Sequence, residues 1–470
     1  ALREKPLRID FERQSEVPGP APHFAKQLRK WLIAWADRND YSIYGDGLIV
    51  RTTIDSRLQA AANQAVFRQG NALQRIADAA WGRRSAWSPD VDLVQSFIRE
   101  SPEYRAAIGK GRTAQQAMQD LQADKAFMTA LKRQKTQIQI GFLAIDPRNG
   151  HVKAWVGSRD FEQDAFDHVQ QARRQPGSTF KPFVYGEAFR QGAKPSDRLI
   201  DQEVAIAVGG SEIWRPTDGG PPSGESMTLA DALAQSKNTI TAQLMQQVGA
   251  AKVARLARDM GVRESRLEAV PSLALGTSPV TLKEMVSAYG TIANAGVYRE
   301  PLLVSRIEDR DGRVIEEFGP ADAETVLKPA VAYTLLDSMR GVIDRGTGRA
   351  IRNRYGIRAD VAGKTGTTQD NADGWFILMH RQLVAGAWVG FNDGRVTLRS
   401  DHWGQGAHSA LPVVGDFFRN ALRARIVDPR LRFTAPEETG WWARIKRWWR
   451  ELFAPEPVAA PERQIGRAHV

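Results

Sequence analysis

Three short clusters in this chain combine hydroxyl groups with amines in patterns that could carry acyl transfer. The first lies in Gln175-Pro176-Gly177-Ser178-Thr179-Phe180-Lys181-Pro182. Ser178 and Lys181 are three residues apart, so on a helix they share one face. Pro182 is tolerated only near a helix start, so the helix is predicted to begin within a turn before it. Ser178 would then stand at or beside the positive end of a helix dipole. An alkoxide is favoured there, and backbone N–H groups there can hold an oxyanion. Lys181 could serve as the base only if burial or a neighbouring cation lowered a pKa that is ordinarily about 10.4. Taken alone the pair says little, because an exposed serine and lysine on a helix surface look the same.

The second cluster is Ser236-Lys237-Asn238 and the third is Gly363-Lys364-Thr365-Gly366-Thr367-Thr368. A second hydroxyl can relay a proton, and an asparagine amide can fix a peptide carbonyl or hold a lysine. The plainer account is an N-cap pair for a helix starting near Thr239. Gly366 would let a substrate backbone approach a strand closely, and a lysine beside small hydroxyl residues suits a carboxylate. The plainer account there is a strand entering a polar turn. Ser-x-x-Lys, Ser-x-Asn and Lys-Thr-Gly each occur once, in that order.

The elements that must position these residues are partly legible. Ile138 to Val156 reads as a hairpin, with strands at Gly141–Ile145 and Val152–Val156 around a turn containing Asn149-Gly150. Further strands are predicted at Gly374–Met379 and Leu383–Val389, and helices at Thr228–Ala234, Thr239–Gly249 and Lys252–Met260. Near the start, a helix is expected over His23–Asp37. A strand follows at Leu48–Ile54, then a helix capped by Asp55 or Ser56. From about Trp81 to Gln137 the sequence is rich in Lys, Arg, Gln and Ala and reads as a helical insertion outside the core. Strands at both ends of the core with helices between them imply an α/β domain with an antiparallel sheet.

Composition narrows the function classes. The 470 residues include no cysteine, which excludes thiolate catalysis, disulfides and cysteine-ligated metal. No cofactor or metal is expected. The net charge of +11 favours anionic partners, although an Arg-rich soluble surface is the more ordinary account, and no nucleic-acid motif supports nucleic acid as a ligand. No apolar run approaches the roughly 18 residues that span a bilayer. In the tail, Trp441, Trp442, Ile445, Trp448, Trp449 and Leu452 recur at helical spacing among Arg444, Lys446, Arg447 and Arg450. Residues 440–453 could therefore lie on an anionic membrane surface or pack their tryptophans on the parent domain. A Pro- and Ala-rich stretch follows Ala454 and is expected to be disordered. The last residues, Ile465–Val470, look like a translated sequencing adapter.

The three clusters in this order resemble the signature of penicillin-binding proteins and serine β-lactamases. The resemblance runs over roughly residues 45–425 and is to the transpeptidase region of the class A penicillin-binding proteins. It is carried by Val50-Arg51-Thr52-Thr53-Ile54-Asp55, Arg174–Pro182, Ala274-Leu275-Gly276-Thr277, Tyr289–Gly296, Gly346-Thr347-Gly348 and Trp388-Val389-Gly390. Two stretches depart from it: Thr217-Asp218-Gly219-Gly220 stands where an Asn-containing turn is expected, and Gly404–His408 replaces a run of small residues.

The resemblance implies a serine β-lactamase/DD-peptidase-like α/β fold, a central antiparallel sheet flanked by helices with an inserted helical subdomain. It also implies DD-transpeptidation of peptidoglycan stem peptides and acylation by β-lactams. Ser178 would be the nucleophile and Lys181 the base, with Lys364 as the cation beside it. Ser236 would relay the proton, and Asn238 would hold both Lys181 and the substrate amide. The backbone N–H groups of Ser178 and Thr367 would bind the oxyanion, and Thr365, Gly366 and Thr367 would line the substrate edge.

The expected organisation is a linker over 1–47, similar at Ala21-Pro22-His23-Phe24 to the segment after a glycosyltransferase domain. An entry segment and helical insertion occupy 48–137, the transpeptidase domain 138–426 and a basic tail 427–470. The membrane anchor and glycosyltransferase would lie upstream of Ala1. The work would be done on the outer face of a bacterial cytoplasmic membrane, with cell-wall machinery as partners. A DD-carboxypeptidase and a non-catalytic β-lactam sensor or scaffold are the alternatives. A β-lactamase is disfavoured, since no Glu-x-x-x-Asn lies between Asn238 and Lys364 to aim a water.

Overall fold

The structure is a computed structural model that describes residues 19–209, 212–368 and 371–436. The chain divides into two compact units, Ala1–Phe433 and Thr434–Val470. Only residues 434–436 of the second are described, so the Trp-rich tail and the adapter-like end lie outside the described residues.

The first unit is organised by one antiparallel sheet of five strands: β1 (Ile138–Ile145), β2 (Val152–Val156), β3 (Val361–Thr367), β4 (Gly374–His380) and β5 (Leu383–Phe391). Their order is β3-β4-β5-β1-β2. Every residue of β1, β4 and β5 is buried, which explains why these strands read as nearly unbroken apolar runs. Side chains alternate between the two faces of a strand. Ile140, Phe142 and Ala144 of β1 enter one hydrophobic cluster with Ala385, Ala387 and Val389 of β5. Leu143 and Ile145 enter the other with Val384 and Trp388. The sheet is therefore the middle layer of three, as expected from strands enclosing helices in the sequence.

Two helices supply the second cluster. α1 (Ser56–Gly82) buries Leu58, Ala62, Val66, Leu73 and Trp81, and α7 (Ala410–Arg423) buries Leu411, Val414, Phe417 and Phe418. Asp55 is the cap of α1, its carboxylate accepting from the backbone N–H of Arg57 and Leu58. The stretch read as a helical insertion outside the core packs against it. Its helices at Asp92–Glu100 and Lys125–Lys135 bury Val94, Phe97, Ile98 and Leu131 in the same cluster. The few apolar residues that form this face are diluted in sequence by the Lys, Arg and Gln of the solvent side.

Helices on the other face carry the site. They are α2 (Lys181–Arg190), α3 (Leu229–Gln235), α4 (Asn238–Val248), α5 (Leu282–Ala293) and α6 (Pro329–Asp344). α5 opens on a reciprocal cap between Thr281 and Glu284. α2 is buried over all but its last residue, which makes it the axis of this layer. Outside the main sheet, Ile49–Thr52 pairs with Val304–Glu308, which also pairs with Val314–Glu317. The helix Pro22–Asn39 packs Trp35 and Ala36 against Val304 and Ile307 of that small sheet.

Candidate active site

Ser178 is half-buried in a 3-10 turn, Gly177–Phe180, that runs directly into α2. Pro182 falls in the first turn of that helix, where no intrahelical N–H is required of it. The turn is held from two sides: Thr179 Oγ1 donates to the carbonyl of Pro176 at 2.6 Å, and Tyr289 Oη of α5 donates to the carbonyl of Thr179 at 2.7 Å. Upstream, Arg174 Nη2 donates to the carbonyl of Phe391 at 2.7 Å and ties the segment to the end of β5.

Glycines set how close this turn comes to the sheet. Gly177 has φ +54°, and a Cβ there would sit 2.4 Å from the carbonyl oxygen of Thr367. A Cβ on Gly366 would sit 2.6 Å from the carbonyl oxygen of Pro176. The nucleophile turn and the edge strand β3 thus touch backbone to backbone, which no other residue type at these positions would permit.

Lys181 is fully buried, and its ammonium is the hub of the site. It donates to Asn238 Oδ1 at 2.6 Å, to Ser236 Oγ at 3.3 Å and to the Ser236 carbonyl. Lys364 reaches the same hydroxyl from β3, donating to Ser236 Oγ at 2.8 Å and to the Thr365 carbonyl at 3.0 Å. A serine oxygen has two lone pairs. With both directed at lysines, the Ser236 O–H hydrogen points away from them and is available to donate elsewhere. Ser236 itself sits at the end of α3 with φ +62°, a left-handed conformation that costs a non-glycine residue about 1 kcal/mol. Such strain is typical of positions held for function.

Burial pulls the Lys181 ammonium down to about 7; Asp218 opposes the fall and Lys237 adds to it. The sequence reading had given the neighbouring-cation role to Lys364. Lys364 is instead buried as deeply as Lys181, and burial followed by the Lys181 charge pulls it well below the ordinary lysine range. A lysine so depressed is a poor source of fixed positive charge, so loss of solvation does most of the work on Lys181.

The turn carrying Ser236 is braced by residues outside the three motifs. Asp218 Oδ1 accepts from the backbone N–H of Asn238 at 2.6 Å, and Asn238 Nδ2 donates to the carbonyl of Thr217 at 2.6 Å. Behind them, buried Asp201 accepts from Lys237 Nζ at 2.9 Å and Thr239 Oγ1 at 2.6 Å. Burial alone would raise the Asp201 carboxyl, but these bonds and those from Ser223 hold it well below the usual carboxylate range. The Thr217-Asp218 departure noted in sequence is the only signal that pointed here.

The remaining residues fall on or beside β3, which among the described residues is an edge strand bonded within the sheet only to β4. Thr365 Oγ1 lies 2.6 Å from Thr347 Oγ1, and the backbone N–H of Thr347 donates to the Ala234 carbonyl at 3.2 Å. Thr347 therefore links β3 to the end of α3. Thr367 Oγ1 accepts from the backbone N–H of Gly406 at 3.1 Å, so the Gly404–His408 stretch lies against the outer end of the strand. All eight residues singled out in sequence are brought to the junction of the nucleophile turn, the Ser236 turn and β3: Ser178, Lys181, Ser236, Asn238, Lys364, Thr365, Gly366 and Thr367.

The sequence matches the family model for the penicillin binding protein transpeptidase domain over residues 140–381, half of the chain. The chain belongs to the penicillin-binding-protein transpeptidase family. Among curated members it is 36% identical over 311 residues to penicillin-binding protein 2D of Bacillus subtilis, covering 64% of this chain and 43% of that protein. It is 34% identical over 298 residues to penicillin-binding protein 1A of Neisseria gonorrhoeae, covering 62% and 37%. The chain thus matches well under half the length of these relatives. Its fold is shared with penicillin-binding protein 1A from Haemophilus influenzae, with TM-score 0.70, 21% identity, and 89% of this chain and 72% of that one covered. PonA1 from Mycobacterium tuberculosis in complex with penicillin V matches with TM-score 0.62 and 22% identity over 90% and 96% of the two chains. The serine β-lactamase/DD-peptidase-like fold expected of the transpeptidase family is therefore the one observed.

Proposed function

We propose that this chain is a DD-transpeptidase that crosslinks peptidoglycan stem peptides through an acyl-enzyme on Ser178. The observation that carries this reading is the convergence of Lys181, Asn238 and Lys364 on the Ser236 turn, one helical turn from Ser178. Ser178 Oγ attacks the carbonyl of the penultimate D-Ala, and its proton passes to neutral Lys181. The backbone N–H groups of Ser178 and Thr367 receive the oxyanion. Removing one such donor typically slows a reaction about 10²- to 10³-fold. As the tetrahedral intermediate collapses, Ser236 donates its free hydrogen to the departing D-Ala nitrogen and recovers a proton from the Lys181–Lys364 pair. An amine of a neighbouring stem then attacks the acyl carbonyl, gives up a proton through Lys181 to the departing Ser178 Oγ, and takes the acyl group, which regenerates Ser178.

The edge of β3 suits such a substrate. An extended peptide can add to an unpaired strand edge through main-chain hydrogen bonds. Thr365, Gly366 and Thr367 present that edge next to the nucleophile. A β-lactam carries the same amide and carboxylate in a strained ring, so it acylates Ser178 in place of the stem. Work at the outer face of the bacterial cytoplasmic membrane, held by a segment outside this sequence, belongs to the same proposal.

Incubation with a reporter penicillin, followed by peptide mass mapping, is expected to give one stoichiometric adduct on the peptide containing Ser178. Absence of an adduct, or an adduct on another residue, would overturn the assignment. The pH profile tests the base. Below about pH 7 the Lys181 amine is protonated, so the acylation rate is expected to fall about tenfold per pH unit on the acid side and level off above the midpoint. A flat stopped-flow profile with a chromogenic cephalosporin between pH 5.5 and 8 would remove Lys181 from that role.

A further inference from the structure

We propose that Asp218 is a positioning residue of this site, an anionic brace that holds the Ser236–Asn238 turn and sets the working pH of the Lys181 base. The inference rests on Lys181 being that base and adds a residue that the three motifs do not contain.

The geometry is specific. Asp218 offers one carboxylate oxygen to the Asn238 backbone N–H at 2.6 Å and the other to Thr239 Oγ1 at 3.3 Å. Its second oxygen is also 3.9 Å from Lys237 Nζ. Asn238 in turn presents its Oδ1 to Lys181 Nζ at 2.6 Å. One side chain thus fixes the residue that orients the base and places a full negative charge behind it. The neighbouring Thr217 carbonyl accepts from Asn238 Nδ2, which forces the amide to turn its oxygen, not its nitrogen, toward Lys181.

An amide side chain at position 218 could make the same bond to the Asn238 N–H without the charge. What the carboxylate adds is electrostatic. The charged and titratable groups around Lys181 are Lys364 from β3, Lys237 from the braced turn, Asp201 from the segment behind it, Tyr185 one turn along α2, and Asp218. Asp201 is already committed to Lys237, Thr239 and Ser223. Lys237 disfavours a protonated Lys181. Asp218 is the carboxylate that acts on Lys181 in the opposite sense, raising its pKa against burial. The side chain is about a fifth exposed, so solvent screens part of this effect.

The test is Asp218→Asn in the full chain. The rate of acylation by a chromogenic cephalosporin is measured from pH 5.5 to 9, beside wild type. Losing the anion disfavours the charged form of Lys181, so the midpoint is expected to move toward acid by roughly half a pH unit, with little change in the plateau. Lys237→Gln is the reciprocal arm and is expected to move the midpoint toward alkali. A residue that only supported the fold would lower the rate at every pH and leave the midpoint in place. An unmoved midpoint, or an alkaline shift in Asp218→Asn, overturns the proposal, and if that variant does not fold, the direction of the Lys237→Gln shift decides. A wild-type protein that is not acylated at any pH would instead defeat the transpeptidase reading itself.

Discussion

Replacing Lys181 with methionine is expected to slow acylation of Ser178 by about 10²- to 10⁴-fold, the range found when a positioned general base is removed. Methionine keeps the length and flexibility of the stem and fills the same buried volume, so packing changes little. What disappears is the amine that donates to Asn238 Oδ1 and the Ser236 carbonyl and that accepts the Ser178 proton in its neutral form. The variant has a second signature. In the folded protein Lys181 titrates near 7, and in the unfolded chain near 10.4. Between those values the unfolded state holds a proton that the folded state has released. Wild-type stability therefore gains from this group as pH rises through that window, by up to about 1.4 kcal/mol per unit. Below pH 7 both states are protonated and the slope vanishes. Thermal melts of the two proteins should differ most in the variant's favour at or below pH 7, and that margin should shrink toward pH 10. A constant difference across this range would mean that Lys181 is not depressed in the fold, and a normal acylation rate would remove it as the base.

Gly276→Ala is the second large effect expected, at a residue with no part in the chemistry. Gly276 ends the 3-10 helix Pro271–Leu275 with φ +72°. A Cβ there would meet the Gly177 carbonyl oxygen at 2.4 Å and its nitrogen at 2.7 Å. Gly177 cannot retreat, because the Thr367 carbonyl lies directly behind its own Cβ position. Three stretches of main chain are stacked with no side chain between them, so one added methyl must displace the turn that carries Ser178. A misplacement of about 1 Å can slow a reaction about 10²-fold, and a loss of that order is expected in acylation rate. The left-handed conformation adds a stability penalty of about 1 kcal/mol. The melting temperature should nevertheless stay well above that of the assay. Acylation at the wild-type rate in a folded Gly276→Ala protein would show that the turn is not set by this contact.

The parts of the fold legible in sequence were those with local causes. The hairpin of β1 and β2 was readable because Asn149-Gly150 marks its turn between two apolar runs. The strands β4 and β5 were readable because burial on both faces leaves them almost wholly apolar. The start of α2 followed from Pro182. The eight site residues followed from motif order, not from any physical property of each one. The rest depended on contacts between distant segments. Nothing local joins Trp81, the Val94-Phe97-Ile98 face and Leu131 into one surface, because they lie on three separate helices in a polar stretch. Asp218 and Asp201 stand among loop residues of ordinary composition, and only the folded chain brings them under Asn238 and Lys237. The burial of Lys364 was illegible for the same reason, since a sequence does not show that two lysines are sealed from water together.

The order of strands in the sheet also bears on how the protein comes to be folded. β1 pairs with β5, yet roughly 240 residues separate the end of β1 from the start of β5. At about 5–20 residues per second of synthesis, the first hairpin waits some 12–48 s with one apolar edge unpaired. Ser178 and Lys181 emerge during that wait, long before Lys364. The site cannot assemble by local folding from its own neighbourhood, because its two halves are joined only when the last strands close the sheet. Premature pairing of the exposed β1 edge with another chain is the hazard this topology carries.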